Sequence, residues 1–138
     1  MITLDASAIV KLALNESRSD MVYSIVNGET SKMEAIFAPD VIVAEALNAI
    51  WASYAVKKRI SEQQADEAFG ILRSILDNID IIPSLELADL ATDISKTHRL
   101  SVYDSLYVAA SMLNSAPLLT FDKEILAKAA DIGVSISK

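Results

Sequence analysis

Asp5, Glu45, Asp104 and Asp122 are spread over almost the whole chain, yet each lies beside an apolar run. Carboxylates gathered at one crevice repel each other, and at neutral pH at least one takes up a proton unless something compensates. A hard divalent cation, Mg²⁺ or Mn²⁺, relieves that repulsion and prefers oxygen ligands. Water on such a cation is more acidic and can attack a phosphodiester, and a second cation would stabilise the leaving 3′ oxygen. This chemistry needs neither His nor Cys. The chain has one histidine, His98, and no cysteine, so disulfides, zinc–thiolate sites, Cys nucleophiles and multi-His metal sites are excluded.

The elements that would carry these acids can be read from apolar periodicity and punctuation. Met1–Leu4 reads as a buried first strand ending at Asp5. Ala8–Leu14 reads as a helix with Ser7 near its N-cap, and Arg18–Asn27 as a second helix with Gly28 just past its end. Ala35–Ala38 is a strand stopped by Pro39. Pro39-Asp40 then opens a long helix with a core stripe of Ile42, Ala46, Leu47, Ile50, Trp51 and Tyr54, running into Lys57-Lys58-Arg59. Ser61-Glu-Gln-Gln64 has the form of a capping box for a helix that turns Ala65, Ala68, Phe69, Leu72 and Leu76 inward.

Ile79–Ile82 reads as a strand ending at Pro83, and Leu85–Lys96 as a helix burying Leu87, Leu90, Ala91 and Ile94. Val102–Leu113 follows as a helix with Leu106, Ala109, Ala110 and Leu113 inward. Pro117–Thr120 is a strand, Asp122–Ile132 a helix closed by Gly133, and Val134–Ile136 a last strand. About five short strands alternating with helices predict one domain over residues 1–138, a three-layer α/β/α arrangement around a mainly parallel sheet. In such sheets ligands bind beyond the carboxyl ends of the strands, near a topological switch point. Asp5 and Asp122 fall there, and Asp104 begins a helix that would face the same crevice.

Each acid taken singly also fits a purely structural role. Asp5 suits a cap, and Asp104 and Asp122 suit first-turn positions that complement a helix dipole. Glu45 is harder to place so, because Val41–Ala44 and Ala46-Leu47 flank it with apolar side chains; a carboxylate buried there needs a cation or several donors.

Composition bounds the rest. Hydrophobic residues make up 52% of the 138, enough for one core, and 3 Gly and 3 Pro leave little room for disordered tracts. The net charge of -7 opposes generic nucleic-acid binding, unless carboxylates hold a cation that meets phosphate directly. The chain opens on a strand-like segment with no basic leader, and no apolar stretch approaches the ~20 residues of a membrane span, so a soluble, cytoplasmic protein is expected.

Four segments together resemble the PIN domain, and within it the VapC-type ribonuclease toxins of toxin–antitoxin operons. They are Ile2–Ser7, Pro39–Asn48, Ser101–Ala110 and Leu119–Lys123 followed by Leu126 and Gly133, in matching order and spacing over essentially the whole chain. The resemblance implies that Asp5, Glu45, Asp104 and Asp122 form a catalytic, metal-binding tetrad for Mg²⁺ or Mn²⁺. It implies that Ser7 and Thr120 orient those acids or a bound water, and that Asn48, close after Glu45, matches a polar position of the family. It further implies an RNA substrate, a homodimer and a cognate VapB-like antitoxin.

Other residues carry weaker signals. Lys11, Arg18 and Lys123 suit the crevice rim, Lys57-Lys58-Arg59 a solvated helix end, and Glu62–Glu67 a solvated face. Trp51 and Tyr54 fit core or partner contacts better than base stacking, and His98 reads as a helix-end or loop histidine. Competing functions are a catalytically silent RNA- or protein-binding module and a phosphoryl-transfer enzyme. Phosphatases of the haloacid-dehalogenase kind need a second Asp where Ser7 stands, and no Gly-rich phosphate loop is present.

Overall fold

A computed structural model describes residues 1–138. The chain opens with β1 (Ile2–Leu4), α1 (Ala6–Ala13), α2 (Ser19–Ser31) and β2 (Ile36–Pro39), followed by α3 (Val41–Ala55) and α4 (Glu62–Leu76). Then come β3 (Asp80–Ile82), α5 (Ser84–His98), α6 (Val102–Asn114), β4 (Leu118–Leu119) and α7 (Lys123–Ile132). All three strand pairings are parallel and the order is β3-β2-β1-β4. The chain therefore builds outward from β1 to β3 and returns to the other side of β1 for β4. That reversal opens a switch point between the carboxyl ends of β1 and β4.

Helices flank the sheet: α6 packs on β1 and β2 and is backed by α5, while α1, α3 and α4 pack on one another. The core joins Leu4, Ile9, Ile42, Ile50, Leu72, Leu87, Leu118, Leu119 and Ile125, all fully buried, with the inner face of α6. Ser61 and Gln64 form the expected capping box, with bonds of 3.1 and 2.8 Å. Gly133 ends α7 at φ 81°, in the left-handed region where a residue without Cβ is favoured.

Several expectations need correction. The sheet has four strands rather than about five. Val134–Ile136 contributes a single parallel bridge, Leu118 to Ile136, too short to count as a strand. Helix α1 starts earlier than expected, with Asp5 rather than Ser7 at its N-cap. Helix α2 runs through Gly28 to Ser31, because a glycine facing open space weakens a helix without ending it.

Helix α3 ends at Ala55, so Lys57-Lys58-Arg59 lie in the exposed turn beyond it. Its buried stripe is Ile42, Ala46, Ile50 and Ser53, each one helical turn apart. Leu47, Trp51 and Tyr54 sit one residue further round and are exposed; so is Leu113 near the end of α6.

Candidate active site

Strand β1 delivers Asp5 to the switch point with 5% of its surface exposed. One carboxylate oxygen, Oδ2, accepts two hydroxyls, Ser7 Oγ at 2.6 Å and Thr120 Oγ1 at 2.5 Å. Both hydroxyls accept in turn from the far side of the crevice. The Phe121 N–H donates to Ser7 Oγ at 2.9 Å, and the Asp122 N–H donates to Thr120 Oγ1 at 3.0 Å. The turn after β4 is thus tied to the turn after β1 through one buried network.

Asp122 is the N-cap of α7, where its Oδ1 accepts from the Glu124 and Ile125 N–H groups, both at 2.9 Å. The capping role expected of an acid at that position is therefore real, and it leaves Oδ2 outside the cap. Glu45 projects from α3 and accepts a hydrogen bond from the Tyr107 hydroxyl on α6. Asp104 lies in the first turn of α6, where its carboxylate accepts from Ser101 Oγ at 2.7 Å. The same Ser101 oxygen caps the helix by accepting from the Asp104 N–H at 3.0 Å.

All four acids line one open cavity of about 280 Å³, together with Ala6, Ser7, Asn48 and Ala49. Thr120 stands behind Asp5, buried. The electrostatics link the four. Burial raises the Asp5 pKa, the Ser7 and Thr120 hydrogen bonds oppose that rise, and the Asp122 charge adds to it. Burial also raises Glu45, against the Tyr107 bond, with further repulsion from Asp5, Asp104 and Asp122. Asp104 is raised by burial, lowered by Ser101, and raised again by Asp122 and Glu124, with Lys128 opposing. Burial and the Glu45 carboxylate push the Tyr107 hydroxyl far above its ordinary value, so it stays protonated and donating.

No three of the acids stand close enough to share an ion as they are; each is turned toward its own protein donor. In donor type the cavity nonetheless fits a hard divalent cation, since its titratable lining is made of carboxylate oxygens that repel one another.

Two residues to which the sequence alone gives no role help build the site, Tyr107 and Ser101. A signal for Tyr107 exists: its hydroxyl lies within the buried run Ser105–Ser111, and a buried phenol seeks a partner. Trp51 and Tyr54 are exposed rather than in the core, which leaves partner contact of the two packing readings, and His98 ends α5 with no hydrogen-bond role at the cavity.

A parallel sheet whose switch point is lined by acids from β1, α3, α6 and the start of α7 defines a class of α/β domain built around an acidic crevice. The PIN domain family matches residues 2–132, and the chain belongs to that family. A Pyrobaculum aerophilum protein named Ribonuclease VapC3 is 26% identical over 127 residues, covering 92% of this chain and 93% of that one. Among solved structures, PAE2754 from Pyrobaculum aerophilum superposes with a TM-score of 0.69 at 22% identity, covering 92% of this chain and 78% of that one. VapBC2 from Rickettsia felis, solved bound to a DNA fragment from their promoter, gives 0.65 at 17% identity, covering 100% and 98%. At such identities the two structures speak for the fold.

Proposed function

We propose that this protein is a metal-dependent endoribonuclease of the VapC type, with Asp5, Glu45, Asp104 and Asp122 as its catalytic and metal-holding residues. The observation that carries the reading is the meeting of four acids, separated by up to 117 positions in sequence, on the lining of one cavity at the switch point. A relative named as a ribonuclease, matched over nearly the full length of both chains, supports the same reaction class.

When bound, a divalent cation supplies positive charge toward a scissile phosphate and acidifies a water. The protein's own part is positional. Ser7 and Thr120 fix one oxygen of Asp5 at the cavity wall. The start of α7 fixes Asp122 through two N–H groups. Glu45 and Asp104 close the site from the helical side. The exposed Asn48 side chain on the cavity wall supplies amide donors and an acceptor for RNA. A VapB-like antitoxin as partner, and a homodimer, belong to the same reading.

The separate engagement of the four acids favours one alternative, a silent RNA- or protein-binding module. One experiment divides the two. Cleavage of structured RNA is followed with Mg²⁺ or Mn²⁺, with EDTA, and in Asp5→Asn. The nuclease reading expects cleavage with metal, none in EDTA, and a loss of roughly a hundredfold or more in the variant, a size typical for an electrostatic catalytic group. Binding without cleavage under every metal condition supports the silent module. Unchanged cleavage by Asp5→Asn removes the tetrad mechanism.

A further inference from the structure

A second cavity of about 310 Å³ adjoins the acidic one, and the two share Ala6, Ser7 and Ala49 on their walls. Its character is different. The acidic cavity has no basic residue on its lining, whereas the neighbour is lined by Lys11 and by the Phe121 ring, beside Asp122 in sequence. The Lys11 ammonium lies 4.9 Å from the centroid of that ring, and the Arg18 guanidinium lies 5.8 Å from the same centroid. Two cations thus converge on one aromatic ring, an arrangement that holds charged side chains in place at modest cost in solvation.

The backbone shows that Arg18 is placed there by an uncommon conformation. Arg18 has φ 69° and Asn15 has φ 50°, both in the left-handed region. A non-glycine residue there bears a local conformational cost, which the surrounding contacts must offset. The α1–α2 turn is shaped so that Arg18, the residue just before α2, reaches back over Phe121. Phe121 is itself fixed by its N–H bond to Ser7 Oγ, the hydroxyl that also holds Asp5. The cationic platform and the carboxylates therefore share one rigid support.

From this juxtaposition we infer that Lys11 and Arg18, seated on Phe121, form a binding site for an RNA backbone phosphate next to the one presented to the four acids. The inference rests on the nuclease reading for the position of the scissile phosphate, and adds to it the residues that hold the flanking nucleotide. With an overall charge of -7, long-range attraction does not bring RNA to this surface, and a local cationic site adds to what a cation held by the acids would supply. The two cations already occupy the ring, so Phe121 acts as their support rather than as a stacking surface for a base. Glu16, whose carboxylate lies 3.7 Å from the Lys11 ammonium on the same wall, occupies the place a phosphate would take. Phosphate entry displaces that carboxylate and exchanges one anion for another.

The test measures binding and cleavage separately. Affinity for a labelled hairpin RNA is measured by fluorescence anisotropy across a salt series, at fixed Mg²⁺, in an Asp104→Asn background that does not turn over. Lys11→Gln with Arg18→Gln should weaken binding roughly tenfold and lower the salt slope by about 1 for each phosphate-bound cation removed. Arg18→Lys should keep the slope, and Glu16→Gln should tighten binding several-fold. In the otherwise intact enzyme the double variant should raise KM with little change in kcat. Thermal unfolding of each variant checks that the fold is kept; if the double variant unfolds, Arg18→Gln alone should lower the slope by about 1 and Glu16→Gln should tighten binding, and these two decide. Wild-type cleavage with an unchanged salt slope in the double variant, or in Arg18→Gln where the double variant unfolds, overturns the phosphate site alone. RNA binding that depends on Lys11 and Arg18 without wild-type cleavage removes the nuclease reading and keeps the site. No RNA binding by the Asp104→Asn protein overturns the site.

Discussion

The two walls of the acidic cavity are built differently. On the strand side, Asp5 and Asp122 are tied together through Ser7, Thr120 and two backbone N–H groups, and Asp5 is almost wholly buried. On the helical side, Glu45 and Asp104 are half-buried, and each accepts from one side-chain hydroxyl, Tyr107 or Ser101. The strand wall cannot change without breaking a buried network, and a buried group left unpaired carries the full desolvation penalty. The helical wall can turn at the cost of one bond per acid. A fixed wall facing an adjustable one reconciles four acids on one lining with the lack of a ready-made ion site.

The contrast can be broken by mutation. Thr120→Val deletes the hydroxyl that donates to Asp5 and accepts from the Asp122 N–H. It should cost roughly tenfold to a hundredfold in activity, as expected for a partner that orients a residue proposed to hold metal. It should also lower stability by about 1–3 kcal/mol through the orphaned N–H. Tyr107→Phe removes the donor to Glu45 and should cost tenfold or less. Its effect should fall on the metal concentration needed for half-maximal cleavage rather than on the rate at saturation. Equal damage from the two variants would mean that both walls are equally fixed.

A smaller effect concerns stability in EDTA. Burial raises Asp5, Glu45 and Asp104 above their ordinary values, so these groups hold protons more tightly folded than unfolded. Their contribution to stability is complete below the unfolded pKa, near 4, and is lost as pH rises through the folded values. Relative to Glu45→Gln, the metal-free wild type should therefore lose stability between the ordinary carboxylate range and neutrality. Denaturant titrations at a series of pH values measure this, and parallel curves for the two proteins would contradict the burial of charge at Glu45.

The strands and helices are legible in the sequence from periodicity and punctuation, and the geometry of parallel sheets brings Asp5, Asp122 and the start of the Asp104 helix to one crevice; that Glu45 joins them is what the family resemblance implies. Asp5 and Asp122 can be read from position alone, since each follows a short apolar strand. Glu45 can be read from its apolar flanks. Thr120 and Asp5 are 115 residues apart in sequence, and only the resemblance to a family suggests their pairing. The outer face of α3 departs from expectation because Leu47, Trp51 and Tyr54 differ from the buried stripe by one position, a rotation of about 100° that composition cannot detect. Tyr107 escapes notice because a phenol in an apolar helix looks like core until its partner on another helix is known.

The bridge between Leu118 and Ile136 has a bearing on assembly. Leu118 donates its N–H to the Ser135 carbonyl at 2.8 Å, and the Ser137 N–H donates to the Leu118 carbonyl at 2.9 Å. The outer edge of β4 beside the acids is thereby occupied, and a guest polypeptide that extended the sheet would have to join at β3 or along the short bridged segment at Ile136. At β3, Pro83 follows directly and can donate no backbone hydrogen bond, which discourages addition at that border as well.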